Sequence, residues 1–244
     1  MDNKVFILGV PLQSVSLDEA VAQVSNWLQG DVTRLVFTPN AEIIALAQDN
    51  AALKQALAQA DLTVPDGIGV VWAAHLLGQP LKGRVPGIEL LDRLLQMAAM
   101  DNYSVYLFGG CPGVAAEAKR RLEERYGDLN IVGFHHGYFD AEEEKKVQAE
   151  IQALRPDILA VALGAPKQEL WLIENVGSLP VKLALGVGGS LDVIAGKVKR
   201  APLLWRRLGL EWLYRIMTDR RRLKRAWQLP RFVVMVLKAK YRKA

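Results

Sequence analysis

Short apolar runs recur through the first three quarters of the chain and alternate with longer segments of helical periodicity. Most of the runs show no alternation of polar and apolar residues, which is typical of strands buried on both faces of a parallel sheet. The predicted strands are Val5–Leu8, Leu35–Thr38, Leu62–Val64, Val105–Phe108, Ile131–Phe134, Ile158–Leu163 and Leu183–Val187. This alternation predicts an α/β fold, a Rossmann-like three-layer domain with a mostly parallel sheet.

Start signals mark several of the helices between these strands. Ser16 and Glu19 have the spacing of a capping box, and Asp140 with Glu143 makes a similar opening. Pro112 stands where a proline is tolerated, ahead of a helix predicted over Val114–Tyr126. The sequence contains no internal repeat and no low-complexity linker.

The last fifty residues follow a different pattern. Apolar residues at 205, 208, 212, 216, 223 and 227 approach a helical period with one gap at Asp219, and a second apolar piece, Phe232–Leu237, follows Pro230. We therefore predict an α/β catalytic domain over residues 1–194 and a basic amphipathic helical appendage over residues 195–244. Tryptophan and leucine beside arginine-rich faces are typical of helices in a lipid interface. The alternative is a helical pair docked on the core, and the segment could do both.

Charge divides the chain in the same place. Of 31 Lys and Arg residues, 16 lie after residue 194, together with only two of the 26 acidic residues, Glu211 and Asp219. The tail therefore carries a balance of +14, and the preceding part a balance of −9. An acidic body with a basic tail indicates that the tail meets a polyanion, such as anionic lipid, nucleic acid or a phosphorylated substrate.

Other features of the composition concern the compartment. Cys111 is the single cysteine, which excludes an internal disulfide and fits a reducing environment. The first residues lack the basic stretch and long apolar region of a signal peptide, and no run of eighteen apolar residues is present. The sequence therefore predicts a cytoplasmic protein.

Polar residues follow two of the predicted strands. Thr38 and Asn40 come directly after one, and Asp66 with Gly67 follows another. Because ligands of open parallel sheets bind beyond the carboxyl ends of the strands, both turns are expected to line one cleft. Asp66 has two interpretations, a cap of the following helix or a general base that deprotonates an attacking hydroxyl.

Three glycine-bearing turns connect predicted strands to predicted helices. They contain Gly109 and Gly110, the segment Gly164–Glu169, and Gly188 and Gly189 followed by Asp192. Glycines let a backbone approach a phosphate, and a helix N-terminus supplies N–H donors. None matches a dinucleotide fingerprint or a P-loop, so a tight turn is the alternative for each. Three such turns together favour a phosphate-bearing ligand.

Metal and cofactor chemistry has little support in the sequence. It contains no Asp-x-Asp pair and only three histidines, and His135–His136 has no obvious partner ligands. We expect neither a metal ion nor a cofactor. A departing diphosphate would then need cationic side chains. The candidates are Arg84, between two glycines, and three tail residues that a helix would project on one face: Arg215, Arg222 and Arg225. A solvated or lipid-facing stripe is the alternative for those three.

Together these motifs resemble the TagA/WecG/CpsF family of bacterial glycosyltransferases, and the TagA branch most of all. They follow one another along nearly the whole chain, which makes the resemblance specific. The matching segments are 38–42, 60–67, 84–87, 108–110, 164–169, 186–189 with Asp192, 200–202 and 209–215.

The resemblance implies an inverting, metal-independent transfer of N-acetylmannosamine from UDP to undecaprenyl-diphosphate-linked N-acetylglucosamine, at the start of a wall teichoic acid linkage unit. It implies Asp66 as catalytic base and Thr38, Asn40 and Gln168 as sugar-binding residues. Arg215, Arg222 and Arg225 would reach the donor diphosphate. The implied partners are a UDP-sugar, the lipid-linked acceptor, the anionic inner face of the plasma membrane, where the protein would be peripheral, and a second copy of the chain.

Three other functions compete with this interpretation. A nucleic-acid binder would suit the basic tail, but the chain shows no recognisable reading module and its body is acidic, so no nucleic acid is expected. An NAD-dependent or nucleotide-sugar-modifying enzyme would suit the fold, but lacks the fingerprint. Within the family, the donor could instead carry N-acetylmannosaminuronic acid or glucose.

Overall fold

The computed structural model describes residues 4–218 and 227–242, and every statement below concerns that part of the chain. Its strands are β1 (Lys4–Ile7), β2 (Val10–Gln13), β3 (Arg34–Phe37), β4 (Leu62–Thr63), β5 (Val105–Gly109), β6 (Ile131–His135), β7 (Ile158–Ala162) and β8 (Leu183–Gly186). Its first helices are α1 (Leu17–Leu28), α2 (Ala41–Leu46), α3 (Ala51–Gln59), α4 (Ile68–Leu76), α5 (Gly87–Asp101) and α6 (Val114–Tyr126). The others are α7 (Ala141–Leu154), α8 (Lys167–Asn175), α9 (Ser190–Ile194), α10 (Leu203–Arg207), α11 (Glu211–Thr218) and α12 (Gln228–Tyr241).

Six strands form a sheet in the order β4-β3-β8-β7-β5-β6, with every neighbouring pair parallel. The prediction of an α/β fold with a parallel sheet is confirmed, and each of the seven predicted strands is present within one or two residues. The first of them, β1, does not join this sheet. It pairs antiparallel with β2, a strand that the sequence analysis missed, and the two form a hairpin beside β4 and α4.

The side chains of β5 show why the fold has three layers. All five residues of this strand are buried, and successive side chains of a strand point to opposite faces of the sheet. Tyr106 and Phe108 belong to the apolar cluster on one face, whereas Val105 and Leu107 belong to the cluster on the other. The sheet therefore needs helices on both sides, which explains the unalternating apolar runs of the sequence.

The predicted helix starts are found in the structure. The Ser16 hydroxyl accepts a hydrogen bond from the Glu19 amide while the Glu19 carboxylate accepts one from the Ser16 amide, so the capping box ahead of α1 is complete. The Asp140 carboxylate caps α7 by accepting from the amides at 142 and 143. The helix predicted after Pro112 is α6, which begins at Val114.

The C-terminal segment differs in detail from its prediction. A turn at Gly209, with φ of +73°, separates α10 from α11, where continuous helical periodicity was expected. The last helix, α12, begins at Gln228 and holds Pro230 in its first turn, where proline removes no helical hydrogen bond. The apolar piece Phe232–Leu237, which follows Pro230 in the sequence, thus belongs to a helix that begins before the proline.

Helix α12 is docked on the body of the protein. It packs against α2 and α4 through Phe232 and Val236, which are fully buried, and Arg231 forms an ion pair with Asp49. Large apolar side chains are exposed both on the other side of α12 and in the residues before it: Leu203, Leu204, Leu208, Trp212, Met217, Trp227, Val233, Val234, Leu237 and Tyr241. In the described ranges no helix has both the length and the apolar character needed to cross a bilayer. One part of the appendage is thus docked, as the alternative for the tail expected, and another presents apolar surface.

Candidate functional site

Five strands of the sheet end in segments that the sequence analysis selected. Along the carboxyl edge these are Asp66 after β4, Thr38 and Asn40 after β3, Gly188 and Gly189 after β8, Gln168 beyond β7, and the glycine turn of β5. Neighbouring strands lie about 4.8 Å apart, so the ends of β4 and β5 are separated by roughly 19 Å. The structure therefore arranges the predicted site residues in a row along one edge of the sheet.

Thr38 and Asp66 meet at the first residue of α5. A Cβ atom at Gly87 would lie 2.5 Å from the Thr38 Oγ1 atom and 3.6 Å from the Asp66 Oδ2 atom. Both side chains therefore face the bare α-carbon of Gly87, and any larger residue would displace the threonine. A strand end, a second strand end and a helix start thus build one polar cluster, defined here as the Thr38–Asp66–Gly87 cluster.

Backbone hydrogen bonds hold the three loops of this cluster together. The Asp66 amide donates to the Pro39 carbonyl over 3.1 Å, and the Val85 amide donates to the Pro65 carbonyl over 2.7 Å. The loop after β4 is therefore fixed on one side to the loop after β3 and on the other to the segment that leads into α5. The position of Asp66 is thus fixed by hydrogen bonds between its loop and the two neighbouring loops.

The two polar residues beside this cluster have different surroundings. Gly67, rather than Asp66, is the N-cap residue of α4. Asn40 is the N-cap of α2, and its Oδ1 atom accepts a hydrogen bond from the Ile43 amide over 3.0 Å. The Asn40 side chain is oriented by the helix that it starts.

Gln168 lies in the middle of the row and is almost completely buried. Its Oε1 atom accepts from the Gly188 amide over 3.0 Å, and its Nε2 atom donates to the Glu169 Oε1 atom over 2.8 Å. A Cβ atom at Gly186 would lie 3.0 Å from that same Nε2 atom. Gln168 therefore connects the start of α8 to the turn after β8, a role that its sequence position did not suggest.

Glu169 is a functional candidate that the sequence analysis did not single out. Its side chain is 2% exposed, and its Oε2 atom has no hydrogen-bond partner in the described part of the chain. Burial raises the pKa of this carboxyl, because a charge without a cationic partner is poorly solvated there. The Glu169 carboxyl thus accepts from the Gln168 amide at a place where burial disfavours its charged form.

The glycines after β5 are explained by packing. Gly109 has φ of +131°, and a Cβ atom there would collide with the Ala162 carbonyl, so β5 and β7 approach closely at their ends. The Gly110 amide donates to the same carbonyl over 3.0 Å, while its own carbonyl accepts from the Gly137 amide. The tight-turn interpretation therefore describes these two glycines, and the Gly110 amide is directed at the protein.

A cavity of about 620 Å³ lies beyond this turn. Its walls come from four segments: Cys111–Val114 at the start of α6, Asp192 of α9, Lys197–Lys199, and α11 through Tyr214 and Thr218. Two lysines and the amino end of α6 face one aspartate, which favours an anionic ligand. The sequence analysis selected Asp192 but missed the two lysines. Only their position shortly after α9, the helix that contains Asp192, could have pointed to them.

The four predicted arginines fall in different places. The Arg84 Nη2 atom donates to the Arg206 carbonyl over 2.8 Å, so this residue connects the loop before α5 to α10. Arg215 lies in α11, one residue after Tyr214 of the cavity wall, and its side chain is outside the description. Arg222 and Arg225 lie outside the described residues.

Across residues 4–218 and 227–242, no three His, Cys, Asp or Glu side chains are grouped so that they could hold a metal ion. The Nδ1 atom of His135 lies 2.9 Å from the His136 carbonyl oxygen.

Polar loops along one edge of an α/β sheet, beside a cavity with two lysines, are typical of enzymes that bind phosphorylated ligands. Comparison with known proteins narrows this class. The model of the glycosyl transferase WecG/TagA/CpsF family matches residues 5–244, and the chain belongs to this family.

Among its relatives are two Staphylococcus aureus proteins, from strains MRSA252 and NCTC 8325 / PS 47, each named N-acetylglucosaminyldiphosphoundecaprenol N-acetyl-beta-D-mannosaminyltransferase. Each is 38% identical to this chain over 239 residues, which cover 97% of this chain and 93% of the relative. The similarity therefore includes both the body and the C-terminal segment.

Replacement of Glu169 by glutamine should make the protein more stable than the wild type as the pH rises. The unfolded chain loses the Glu169 proton at an ordinary pKa, whereas the folded protein retains it to higher pH. The contribution of Glu169 to the free energy of unfolding is therefore full at acidic pH. It falls as the pH rises from the pKa of this residue in the unfolded chain towards its pKa in the folded protein. Urea unfolding from about pH 5 to pH 8 measures this difference.

The control is Glu174→Gln, an exposed glutamate of the same helix. Its free energy of unfolding should differ from that of the wild type by about 0.5 kcal/mol or less over the same interval. Parallel pH profiles for Glu169→Gln and the wild type would show that Glu169 is ionised in the folded protein.

Replacement of Gly87 by alanine should disturb the Thr38–Asp66–Gly87 cluster. The new methyl group would overlap the threonine hydroxyl, and overpacking of this kind costs about 1–3 kcal/mol. Gly83→Ala, in the same loop, adds its methyl group to open space and should change stability by no more than about 0.5 kcal/mol. Equal denaturation midpoints for the two variants would contradict this packing.

Proposed function

We propose that this protein transfers N-acetylmannosamine from UDP-N-acetylmannosamine to undecaprenyl-diphosphate-linked N-acetylglucosamine, in the synthesis of a wall teichoic acid linkage unit. The supporting observation is the 38% identity over 97% of the chain to proteins named for that acceptor and that sugar. The Thr38–Asp66–Gly87 cluster supplies a carboxylate at the expected edge of the sheet. Residues 1–194 form the catalytic domain of this proposal, and residues 195–244 form its appendage.

Asp66 is the general base of the proposed reaction. Its carboxylate takes the proton of the acceptor hydroxyl as the hydroxyl oxygen bonds to the anomeric carbon of the donor sugar. The bond between that carbon and the diphosphate breaks in the same step, and UDP leaves with the electron pair. A single displacement inverts the configuration at the anomeric carbon. The fixed loops around Asp66 support this role, because a base must hold its position while the proton moves.

The row of residues along the sheet edge gives the donor an orientation. The nucleotide occupies the cavity near Asp192, beyond Gly109 and Gly110, where two lysines and a helix start face it. Gly188 and Gly189, in the turn after β8, approach the diphosphate. The sugar then lies toward Asp66, against Thr38, Asn40 and Gln168. The separation of roughly 19 Å between the strand ends suits an extended nucleotide sugar.

Cationic side chains take the place of a metal ion in this proposal. Arg215, Arg222 and Arg225 neutralise the charge that develops on UDP, and Arg84 acts beside them. Support comes from α11, whose Tyr214 and Thr218 line the cavity, because Arg215 belongs to the same helix. Arginine suits this task since its guanidinium group stays charged and donates several hydrogen bonds to one phosphate.

The acceptor lipid gives the appendage a second task. Exposed tryptophan and leucine side chains lie in a segment with a local charge of +14, which favours peripheral binding to the anionic inner face of the plasma membrane. Docking there brings the base and the lipid-linked sugar to the same surface. Self-association is an expectation of the family resemblance only.

The first test of this function is Asp66→Asn. Loss of a general base lowers turnover by about 10²–10⁴-fold, while UDP should still raise the thermal unfolding midpoint of the variant. The assay follows UDP release from a panel of UDP-sugars with a short-chain prenyl-diphosphate-N-acetylglucosamine acceptor. Asp18→Asn, which removes an exposed aspartate of α1, is the control and should retain wild-type turnover.

Turnover of Asp66→Asn near the wild-type rate would exclude Asp66 as the base. If the protein prefers UDP-glucose or UDP-N-acetylmannosaminuronic acid in the panel, the proposed donor is wrong, whereas the proposed class of reaction, glycosyl transfer, stands. NAD, tested in the same thermal assay, should leave the unfolding midpoint unchanged.

A second test separates cationic from metal stabilisation. Replacement of Arg215, Arg222 and Arg225 by glutamine should lower turnover by about 10²-fold or more, the effect of removing a transition-state donor. EDTA should leave the wild-type rate unchanged. The control replaces Lys238 and Lys240 of α12 together with Arg242, which follows the helix. This change removes equal charge from the tail and should have little effect on turnover with a water-soluble acceptor. Inhibition by EDTA would contradict the proposal.

A further inference from the structure

Helix α4 carries an exposed apolar stripe that begins at the site. Ile68 is 44% exposed and Trp72 is 39% exposed, although both belong to a largely apolar helix. Residues four apart lie on the same side of a helix, so these two side chains form one continuous surface. The stripe starts two residues after Asp66, which places apolar surface directly beside the proposed base.

The turn between α10 and α11 lies against Ile68, at the amino end of this stripe. A Cβ atom at Gly209 would lie 2.9 Å from the side chain of Ile68, so the backbone of the turn touches that residue. Leu208, the preceding residue, is 61% exposed. We define Ile68, Trp72 and Leu208 as the apolar strip.

The Arg84 side chain lies beside the same turn. It donates to the Arg206 carbonyl, which also accepts from the Gly209 amide, and Arg200 forms an ion pair with Glu89. The short segments 84–89 and 200–206, which contain these arginines, are therefore joined at both ends. The Val85 amide donates to the Pro65 carbonyl, so the segment that begins with Arg84 also borders the loop of Asp66.

Two of these arginines have buried donor groups without a partner. In the residues that the structure describes, the Nε atoms of Arg200 and Arg206 are inaccessible to solvent and make no hydrogen bond. Glu89 is the only carboxylate paired with this group in the described ion pairs. Unpaired buried donors of a cation are costly, and an anion that binds the same guanidinium groups would offset part of that cost.

We propose that the acceptor lies along these features in the order of its own chemical groups. Its sugar hydroxyl is at Asp66, its diphosphate contacts Arg200 and Arg206, and its first isoprene units lie on the apolar strip. The proposal rests on the proposed function, since it assumes a lipid-diphosphate acceptor. It adds where each part of that acceptor binds, and it separates the acceptor diphosphate from the donor diphosphate at the cavity.

Charge complementarity argues for this occupant. A polyprenyl diphosphate combines an anion and an apolar chain at a fixed short separation, and the protein presents cationic donors next to exposed apolar side chains. A bilayer surface would also cover apolar residues, but it offers no single anion held at one pair of guanidinium groups. The contact of the strip with one lipid chain is therefore distinguishable from its contact with a bilayer.

The test measures the acceptor KM of the full chain without detergent, once without vesicles and once with vesicles of anionic phospholipid. Two water-soluble acceptors are compared, with one and with three isoprene units on the same diphosphate-sugar. The wild-type KM should be about tenfold lower for the longer acceptor, which burial of about 55 Å² of apolar surface would supply. Trp72→Ala should abolish this gain. Phe134→Ala, at a 40% exposed aromatic residue on the strand at the far edge of the sheet, should keep it.

The diphosphate contact is tested separately with Arg206→Gln. This variant should raise the acceptor KM about tenfold for both chain lengths and leave the donor KM as in the wild type. Arg207→Gln removes the neighbouring exposed charge and is the matched control, expected to behave as the wild type.

The outcomes separate the two levels of the proposal. A wild type that uses both acceptors with equal KM overturns the binding of lipid by the apolar strip, and leaves the transferase function standing. Dependence on chain length that appears only with vesicles identifies the strip as a bilayer contact and overturns the proposal as well. If the wild type transfers no sugar to either acceptor, the proposed function fails and this inference with it.

Discussion

The hydrogen-bonded register between β3, β8, β7 and β5 decides where the polar loops of this protein meet. Val36 pairs with Leu185, Gly186 with Val161, and Val161 with Phe108, so four strands end within about one residue of each other. A slip of one residue would turn the side chains of a strand to the opposite face. Burial on both faces resists that slip, and the core therefore fixes the site.

Local patterns were sufficient for most of the fold. Fully apolar runs predicted all seven strands, and side-chain caps at Ser16 and Asp140 predicted two helix starts. The strand β2 was missed because it contains Pro11 and pairs only with its immediate neighbour in the chain. The turn at Gly209 was missed because the apolar period continues through it. Each failure occurred where tertiary contacts, rather than periodicity, determine the backbone.

The site was predictable in its location and not in its contacts. That polar residues after parallel strands share one edge follows from topology alone. That Gln168 bonds to the Gly188 amide, or that Gly87 is the meeting point of Thr38 and Asp66, depends on contacts across twenty residues or more. The buried state of Glu169 has the same origin, since a charged residue beside a polar one reads as surface in a sequence. Such contacts follow from the packed structure only.

The position of α12 connects the C-terminal segment to the helices that follow the polar loops of the site. This helix packs behind α2 and α4, whose first turns carry Asn40 and follow Asp66. The last described helix of the chain thus supports the two helices that follow the polar loops, by packing against them. A protein that lost this support would keep its sheet, held by its own two apolar layers, while the tips of both helices gained freedom. The packing of α12 and the positions of the loops that carry Asn40 and Asp66 are thereby linked.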